Sequence, residues 1–183
     1  FRLLDLNSRM VSTIADEGKK GFPDDKGWKV GFGNVWNIAY SGTDHSLYFT
    51  QPDDGLLRKL DLTRGEITTL LRRDPQLSRP AALCVDGHSL FVAGSKSVLC
   101  FNFPLGAAGA KPGPGRLVGR GRSISALAVS GGWLYALQAD RSHPWVKFSL
   151  SSVGPAVDIG LRSIWGGLIQ PAPNAAVPPL LKL

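Results

Sequence analysis

Short apolar runs separated by turn-forming residues recur along most of this chain. In residues 36–71, four runs of four to six residues are rich in leucine, aromatic and β-branched types, and Gly, Pro and Asp cluster between them. Runs this short predict strands rather than helices, and the clusters between them predict tight turns. The predicted strands are 36–40, 47–50, 57–62 and 66–71. Together they predict a meander of four strands.

The same pattern returns along the chain with a regular spacing. A triplet of large apolar, small polar and large apolar residues marks the third strand, at spacings of 56, 41 and 47 residues. The second strand repeats at spacings of 43 and 44 residues, and an apolar first strand precedes each copy. The triplets are 4–6, 60–62, 101–103 and 148–150. A period of about 40–50 residues with four strands per unit is typical of propeller blades, so the predicted fold class is all-β, an incomplete β-propeller of four-stranded antiparallel blades.

The phase of the repeat divides the chain into blades. Residues 1–160 are predicted to form a partial propeller, and residues 161–183 are interpreted as the start of a further blade followed by a Pro-rich tail. Within the propeller, the outer strands of one blade occupy 1–15, and full blades occupy 16–71, 72–119 and 120–160. So few blades cannot close a ring. We interpret the chain as a fragment of a longer propeller; a half that pairs with a second chain, or a part of a larger assembly, are the alternatives.

A glycine-rich loop and a basic third strand give the first full blade a more specific signature. The loop has Ile14-Ala15-Asp16-Glu17-Gly18 followed by glycines and acidic residues at 21–27, and the third strand reads Leu57-Arg58-Lys59-Leu60-Asp61-Leu62. This combination resembles the NHL repeat, and the resemblance covers residues 14–71 best. It implies a six-bladed propeller in the complete protein. It also implies a binding role, toward a protein or, as in some NHL domains, toward RNA.

Basic residues concentrate in the loops that join one blade to the next. The chain has 21 Lys and Arg against 14 Asp and Glu, a net charge of +7. In a meander blade these loops all emerge on one face, where they hold ten basic and five acidic residues. A basic face attracts acidic proteins or RNA, whereas the plainer interpretation is a solvated rim. The predicted binding residues are Lys19, Lys20, Lys29, Arg72, Arg73, Arg79, Arg120 and Arg122.

Candidate catalytic groups are scarce. The predicted inner strands carry no Asp, Glu or His to serve as an acid–base pair. His45 and His88 fall in equivalent turns beside Asp44 and Asp86, and two imidazoles with a carboxylate could bind a metal. Turn chemistry is the favoured interpretation, because the next blade has Ser130-Gly131-Gly132 at that place. Neither a cofactor nor a metal is predicted.

The two cysteines are predicted to be free thiols. Cys84 lies on a first strand and Cys100 on the third strand of the same blade. First and third strands lie about 9.6 Å apart, beyond the reach of a disulfide. The apolar runs are also shorter than the roughly 20 residues that a membrane helix needs.

The sequence therefore predicts a non-enzymatic interaction module that presents a basic loop face to an acidic protein partner. An RNA-binding propeller is the first alternative. A fragment of a propeller lactonase or lyase, with its site in blades outside this sequence, is the second. Self-association, or a second chain that completes the propeller, is a further interpretation of the open arc.

Overall fold

The computed structural model describes residues 1–13, 25–26, 31–103, 105, 112–139, 144–151 and 157–158. Every regular element in this part of the chain is a β-strand. The strands are β1 (Arg2–Leu4), β2 (Val11–Thr13), β3 (Asp25–Lys26), β4 (Asn37–Ser41), β5 (Ser46–Gln51), β6 (Leu56–Asp61), β7 (Glu66–Arg72), β8 (Ala82–Asp86), β9 (Ser89–Ala93), β10 (Ser97–Asn102), β11 (Arg116–Arg120), β12 (Ile124–Ser130), β13 (Trp133–Gln138), β14 (Trp145–Ser149) and β15 (Val157–Asp158). None of the described segments is a helix that could cross a membrane.

These strands form four antiparallel sheets that succeed one another along the chain, and we name them blades 1 to 4. Blade 1 contains β1 and β2, blade 2 contains β4 to β7, blade 3 contains β8 to β11, and blade 4 contains β12 to β15. The short strand β3 adds to the outer edge of blade 2, inside a stretch that the sequence predicts as a loop. Apart from β3, strands adjacent in sequence are adjacent in each sheet. The predicted fold class, an incomplete propeller of antiparallel blades, is confirmed.

The third strands begin earlier than the repeated triplet indicates. In blades 3 and 4 they end at Asn102 and Ser149, so the triplet marks the end of the strand and the start of the turn after it. The polar residue of the triplet explains this position. Asp61 Oδ1 accepts the N–H groups of Thr63 and Arg64, each at 2.9 Å, and Asp5 caps the turn of blade 1 in the same way.

The blades stack through their inner strands. Strands β4, β8 and β12 lie side by side, with β8 in contact with both of the others. Leu83 on β8 belongs to an apolar cluster with Tyr48 of blade 2, whereas Ala82 belongs to a cluster with Leu134 of blade 4. A third cluster, around Phe49, joins blades 1 and 2. The core therefore lies between the blades, because each sheet covers the apolar side of the next.

The cysteines lie on either side of one strand. Cys84 and Cys100 are both paired with Phe91 on the intervening β9, and both thiols are free, as predicted. Burial raises the pKa of the Cys84 thiol to about 12. The thiol therefore stays protonated near neutral pH and acts as a small apolar group.

Candidate functional site

A cleft of about 260 Å³ opens where blades 2, 3 and 4 meet at their inner ends. In a meander blade, the loop to the next blade and the turn between the second and third strands leave the sheet at the same end. We name this end the loop face. Both kinds of connection line the cleft, which has Trp36, Arg79, Ser95 and Ser123 on its walls. The cleft is therefore built by side chains far apart in sequence.

Hydrogen bonds between blades hold the walls of the cleft in place. The Trp36 N–H donates to the Thr50 carbonyl at 3.0 Å, and the Thr50 hydroxyl donates to the Ala81 carbonyl of blade 3 at 2.9 Å. The Ser123 N–H donates to the Ser95 carbonyl at 2.9 Å and joins blade 4 to blade 3. These bonds connect all three inner ends, so the cleft is formed before any ligand arrives.

Acidic residues lie on one side of the cleft. Arg79 forms an ion pair with Asp53, with 3.0 Å between Nη2 and Oδ1. Asn34 also donates to Asp53, at 3.4 Å. Asp53 and Asp54 belong to the turn between β5 and β6, which also lies on the loop face. A charge count restricted to the inter-blade loops leaves these two carboxylates out. Because the connections of a meander alternate between the two ends of the sheet, the sequence could have assigned this turn to the loop face as well.

Arg72 and Arg73 end the fourth strand of blade 2 next to the same acidic turn. Arg73 has a φ of 48° and its N–H donates to the Gly55 carbonyl at 2.7 Å. Of the predicted residues, Arg79 has its charge offset by Asp53, whereas the backbone of Arg73 is bonded to Gly55 of the same turn. Lys19, Lys20 and Lys29 lie outside the described residues.

Three cations belong to the turn and the loop that supply Ser95 and Ser123 to the other side of the cleft, and we name them the basic rim: Lys96, Arg120 and Arg122. The Gly121 N–H donates to the Lys96 carbonyl at 3.2 Å, which places the turn of blade 3 against the loop that carries both arginines. All three residues are exposed, and within the described part of the chain none of them forms an ion pair. The prediction included Arg120 and Arg122 but missed Lys96, whose turn lies 24 residues from Arg120 in sequence.

The histidines occupy equivalent turns on the face opposite the loop face. The carbonyl of His45 accepts the Leu62 N–H at 3.2 Å, and the carbonyl of His88 accepts the Phe103 N–H at 2.8 Å. Gly132 takes the same place in blade 4, with a φ of 76°, and His45 has a φ of 48°. The left-handed conformation favours glycine at this place in blade 4, and His45 adopts it as a non-glycine residue. His45 and His88 thus serve as turn residues, which is the favoured interpretation of the sequence.

A buried polar network on this opposite face was not predicted. Tyr48 donates to Asp44 at 2.5 Å, and Lys59 Nζ lies 2.9 Å from the same carboxylate oxygen. Burial alone would raise the pKa of Asp44, but the bonds from Tyr48 and Lys59 outweigh it and lower that pKa. Lys59 also donates to the Leu105 carbonyl of blade 3 at 3.3 Å. The network connects two blades through polar contacts, so we regard it as structural.

Comparison with known proteins adds evidence for the fold. No protein-family model and no curated protein matches the chain. A structural genomics protein of unknown function from Bacteroides thetaiotaomicron is similar over 78% of this chain and 36% of its own, with 22% identity and a TM-score of 0.58. A chain of a nidogen/laminin complex is similar over 69% of this chain and 48% of its own, with 18% identity and a TM-score of 0.55.

The computationally designed Ika4 protein is also similar, over 82% of this chain and 80% of its own, with 15% identity and a TM-score of 0.53. The chain thus spans between about a third and a half of the length of the first two structures. At these identities the likeness is one of fold. The stacked meanders and these neighbours together show an arc of propeller blades with a preformed cleft on its loop face.

Proposed function

We propose that this protein is a non-catalytic binding module that holds an acidic segment of a partner protein across the cleft and the basic rim. One observation carries the proposal: three exposed cations without an ion pair among the described residues belong to the turn and the loop that form one side of a cleft with an aromatic wall. Trp36 is 58% exposed and offers its ring to a ligand. We further infer that the blades are of the NHL type and come from a six-bladed propeller, on the resemblance of residues 14–71.

The size of the cleft indicates how such a partner binds. Its volume of about 260 Å³ is below the roughly 300–1,000 Å³ of pockets for drug-sized ligands, so it accepts one or two side chains. The partner therefore enters as an extended segment. An aromatic or aliphatic side chain occupies the cleft beside Trp36, and neighbouring carboxylates lie over the basic rim.

Charge contributes more to the rate and selectivity of this binding than to its strength. Each exposed ion pair at the rim contributes about 0.2–1 kcal/mol, and salt screens it. The excess of positive charge steers an acidic partner toward the cleft. On the other side, the Arg79–Asp53 pair already satisfies that arginine, so we expect Arg79 to contribute less than Arg122.

The test is binding of a fluorescein-labelled acidic peptide, ten glutamates interrupted by one central phenylalanine, followed by anisotropy. Replacing both rim arginines, Arg120→Ser with Arg122→Ser, is expected to weaken binding by about tenfold at low salt, because two rim cations are removed. The matched control is Arg64→Ser with Arg116→Ser. Arg64 lies in an opposite-face turn and Arg116 starts β11, both are exposed, and the net charge changes equally. An equal loss in both pairs would show that only net charge matters and would refute a site at the rim.

The same measurement with single-stranded RNA separates the two macromolecular partners. A protein partner predicts that the peptide binds at least as tightly as an oligonucleotide of equal charge and depends on its phenylalanine. Tighter RNA binding with a steep dependence on salt would instead assign the face to nucleic acid and overturn the proposal.

A further inference from the structure

Three connections of the loop face are bonded to one another in series at the cleft. The Ser95 N–H donates to the Ser78 carbonyl at 2.8 Å, and the Ser123 N–H donates to the Ser95 carbonyl at 2.9 Å. Gly94 permits this close approach, because a Cβ atom there would overlap the Ser78 carbonyl oxygen. The loop between blades 2 and 3, the turn of blade 3 and the loop between blades 3 and 4 therefore have fixed relative positions.

The backbone is strained at two places on the walls of this cleft. Five residues other than glycine have a positive φ in the described part of the chain, and two of them line the cleft: Arg79, with 50°, and Ser123, with 45°. Such conformations persist only where surrounding bonds enforce them, and they concentrate at ligand sites. The strain therefore indicates that the placement of these two side chains serves a ligand.

Arg79 is oriented by its ion pair but is not consumed by it. Asp53 Oδ1 lies 3.0 Å from Nη2, and the arginine side chain remains 63% exposed. A guanidinium has five N–H groups, so most of them remain for a ligand. The carboxylate of Asp53 thus holds a cation in place at the wall of the cleft, which lowers the entropy cost of a further bond.

The hydroxyls of Ser95 and Ser123 provide two further donors. Both residues line the cleft, and neither hydroxyl is bonded to another residue in the part of the chain that the structure describes. None of the described residues on the walls is acidic. One guanidinium and two hydroxyls are therefore able to donate to a ligand, on walls that also include the Trp36 ring. This set fits an anionic group attached to an aromatic ring.

We propose that the side chain entering the cleft is a tyrosine of the partner that carries a phosphate or sulfate group. The inference rests on the proposed function and names the residue that the cleft selects. The tyrosine ring lies beside Trp36, and the oxyanion accepts hydrogen bonds from Arg79, Ser95 and Ser123. A tetrahedral oxyanion has three terminal oxygens for these three donors, whereas phenylalanine leaves all of them in water and glutamate has no ring.

The test uses the labelled acidic peptide with its central phenylalanine replaced by phosphotyrosine. A second phenylalanine peptide, lengthened by two glutamates, has the same charge. The phosphotyrosine peptide is expected to bind about tenfold more tightly than this equal-charge peptide, because its anion reaches the donors inside the cleft. Arg79→Ser is expected to abolish that gain and to leave binding of the phenylalanine peptide within about twofold of the natural chain.

Arg73→Ser is the matched control for Arg79→Ser. Arg73 is also exposed, lies on the loop face and has a positive φ, but it does not line the cleft. It is expected to leave the gain from phosphate unchanged. Replacing both serines, Ser95→Ala with Ser123→Ala, is expected to reduce the gain by about threefold without affecting the phenylalanine peptide. Circular dichroism and binding of the phenylalanine peptide check that each variant folds.

A sulfotyrosine peptide identifies the source of the oxyanion, since the larger gain of the two assigns the group. No gain with either group, or an equal loss of the gain in Arg73→Ser and Arg79→Ser, would overturn this inference. Binding of the phenylalanine peptide would still support the proposed function in both cases. If none of the peptides binds, the proposed function fails and this inference fails with it.

Discussion

Arg58 is a buried cation at the junction of blades 1 and 2. Its side chain is 0% exposed, and Nη1 donates to the Gly31 carbonyl at 2.8 Å. The guanidinium carbon lies 5.8 Å and 5.9 Å from the ring centres of Phe32 and Phe49. A buried charge is tolerated only with such hydrogen bonds and ring contacts. Arg58 is thus part of the core, although its residue type is typical of a surface.

Asp44 is expected to make the unfolding free energy of the protein depend on pH in the acidic range. Its pKa is lowered in the folded state, so its contribution is fully present above the ordinary value of 3.8 and is lost as pH falls below it. Asp44→Asn is expected to lower the unfolding free energy at neutral pH by about 1–2 kcal/mol, because the bonds from Tyr48 and Lys59 weaken. Between about pH 5 and pH 2 the variant should lose less further stability than the natural chain.

Denaturant unfolding over that pH range measures this effect. Asp53→Asn is the control, because its carboxylate is half exposed in a surface pair with Arg79. The control is expected to change stability by about 0.5 kcal/mol or less. Parallel stability profiles for the natural chain and Asp44→Asn would contradict the role assigned to Asp44.

At the scale of the strand, the outer pair of blade 3 has an irregularity that apolar alternation does not reveal. Val98 pairs with Gly119 and Leu99 with Leu117, so Val118 is the extra residue of a bulge and is buried between blades. Blade 2 has the same feature between β6 and β7, where Leu70 is the extra residue. The apolar periodicity of the sequence locates the strands but does not reveal these bulges. A bulge keeps an apolar residue on the inward side and leaves one residue of the strand unpaired.

Gly119 is expected to be needed for the contact between blades 3 and 4. A Cβ atom at this position would lie 2.2 Å from Cδ1 of Phe148, a buried ring of blade 4. Gly119→Ala is therefore expected to lower the unfolding free energy by about 1–3 kcal/mol through overpacking. Thermal or denaturant unfolding measures the change.

Gly113→Ala is the matched control for this substitution. A Cβ atom at Gly113 has nothing within 4 Å, so this variant is expected to keep or slightly raise stability. If the two variants are equally stable, Phe148 does not pack against Gly119 as described.

At the scale of the whole molecule, the two sides of the cleft differ in charge. The basic rim belongs to the turn and the loop where blades 3 and 4 meet, and none of its cations forms an ion pair within the described residues. The ion pair of Arg79 with Asp53 lies where blades 2 and 3 meet. We therefore expect the two sides to contribute unequally to the binding of an acidic segment.

Substitutions on the two sides of the cleft should therefore differ in effect. Arg79→Ser is expected to weaken binding of the acidic peptide by about twofold or less, because that arginine already pairs with Asp53, whereas Arg122→Ser is expected to weaken it by about threefold. Anisotropy with the labelled peptide measures both variants. Equal losses in the two variants would contradict the assignment of the unpaired charge to the basic rim.

The order and pairing of the blade strands were predictable because they follow from local pattern, whereas β3, which lies in a predicted loop, was not. Alternation and turn residues act over a few positions, and their repetition in the chain made a stack of sheets the only arrangement that buries every apolar side. The third strand of blade 2 was predicted at 57–62 and lies at Leu56–Asp61, and the repeated triplet marks its end and the turn cap at Asp61.

The candidate site was predictable only in part. The sequence indicated Arg120 and Arg122 on the loop face, since the connections of a meander alternate between its two ends. It could not show that Arg79 pairs with Asp53, that Lys96 joins the basic rim, or that Trp36 forms a wall of the cleft. Those contacts join residues from different blades, and spacing along the chain contains no information on their distance.

By itself, then, the sequence determined that this chain forms meander blades that stack on their apolar sides, because hydrophobic burial follows the local period of each strand. The tertiary structure alone decided which charges are paired and which are exposed. The reason is physical: ion pairing and burial depend on distances of a few ångströms between blades, and those distances exist only after the blades have stacked.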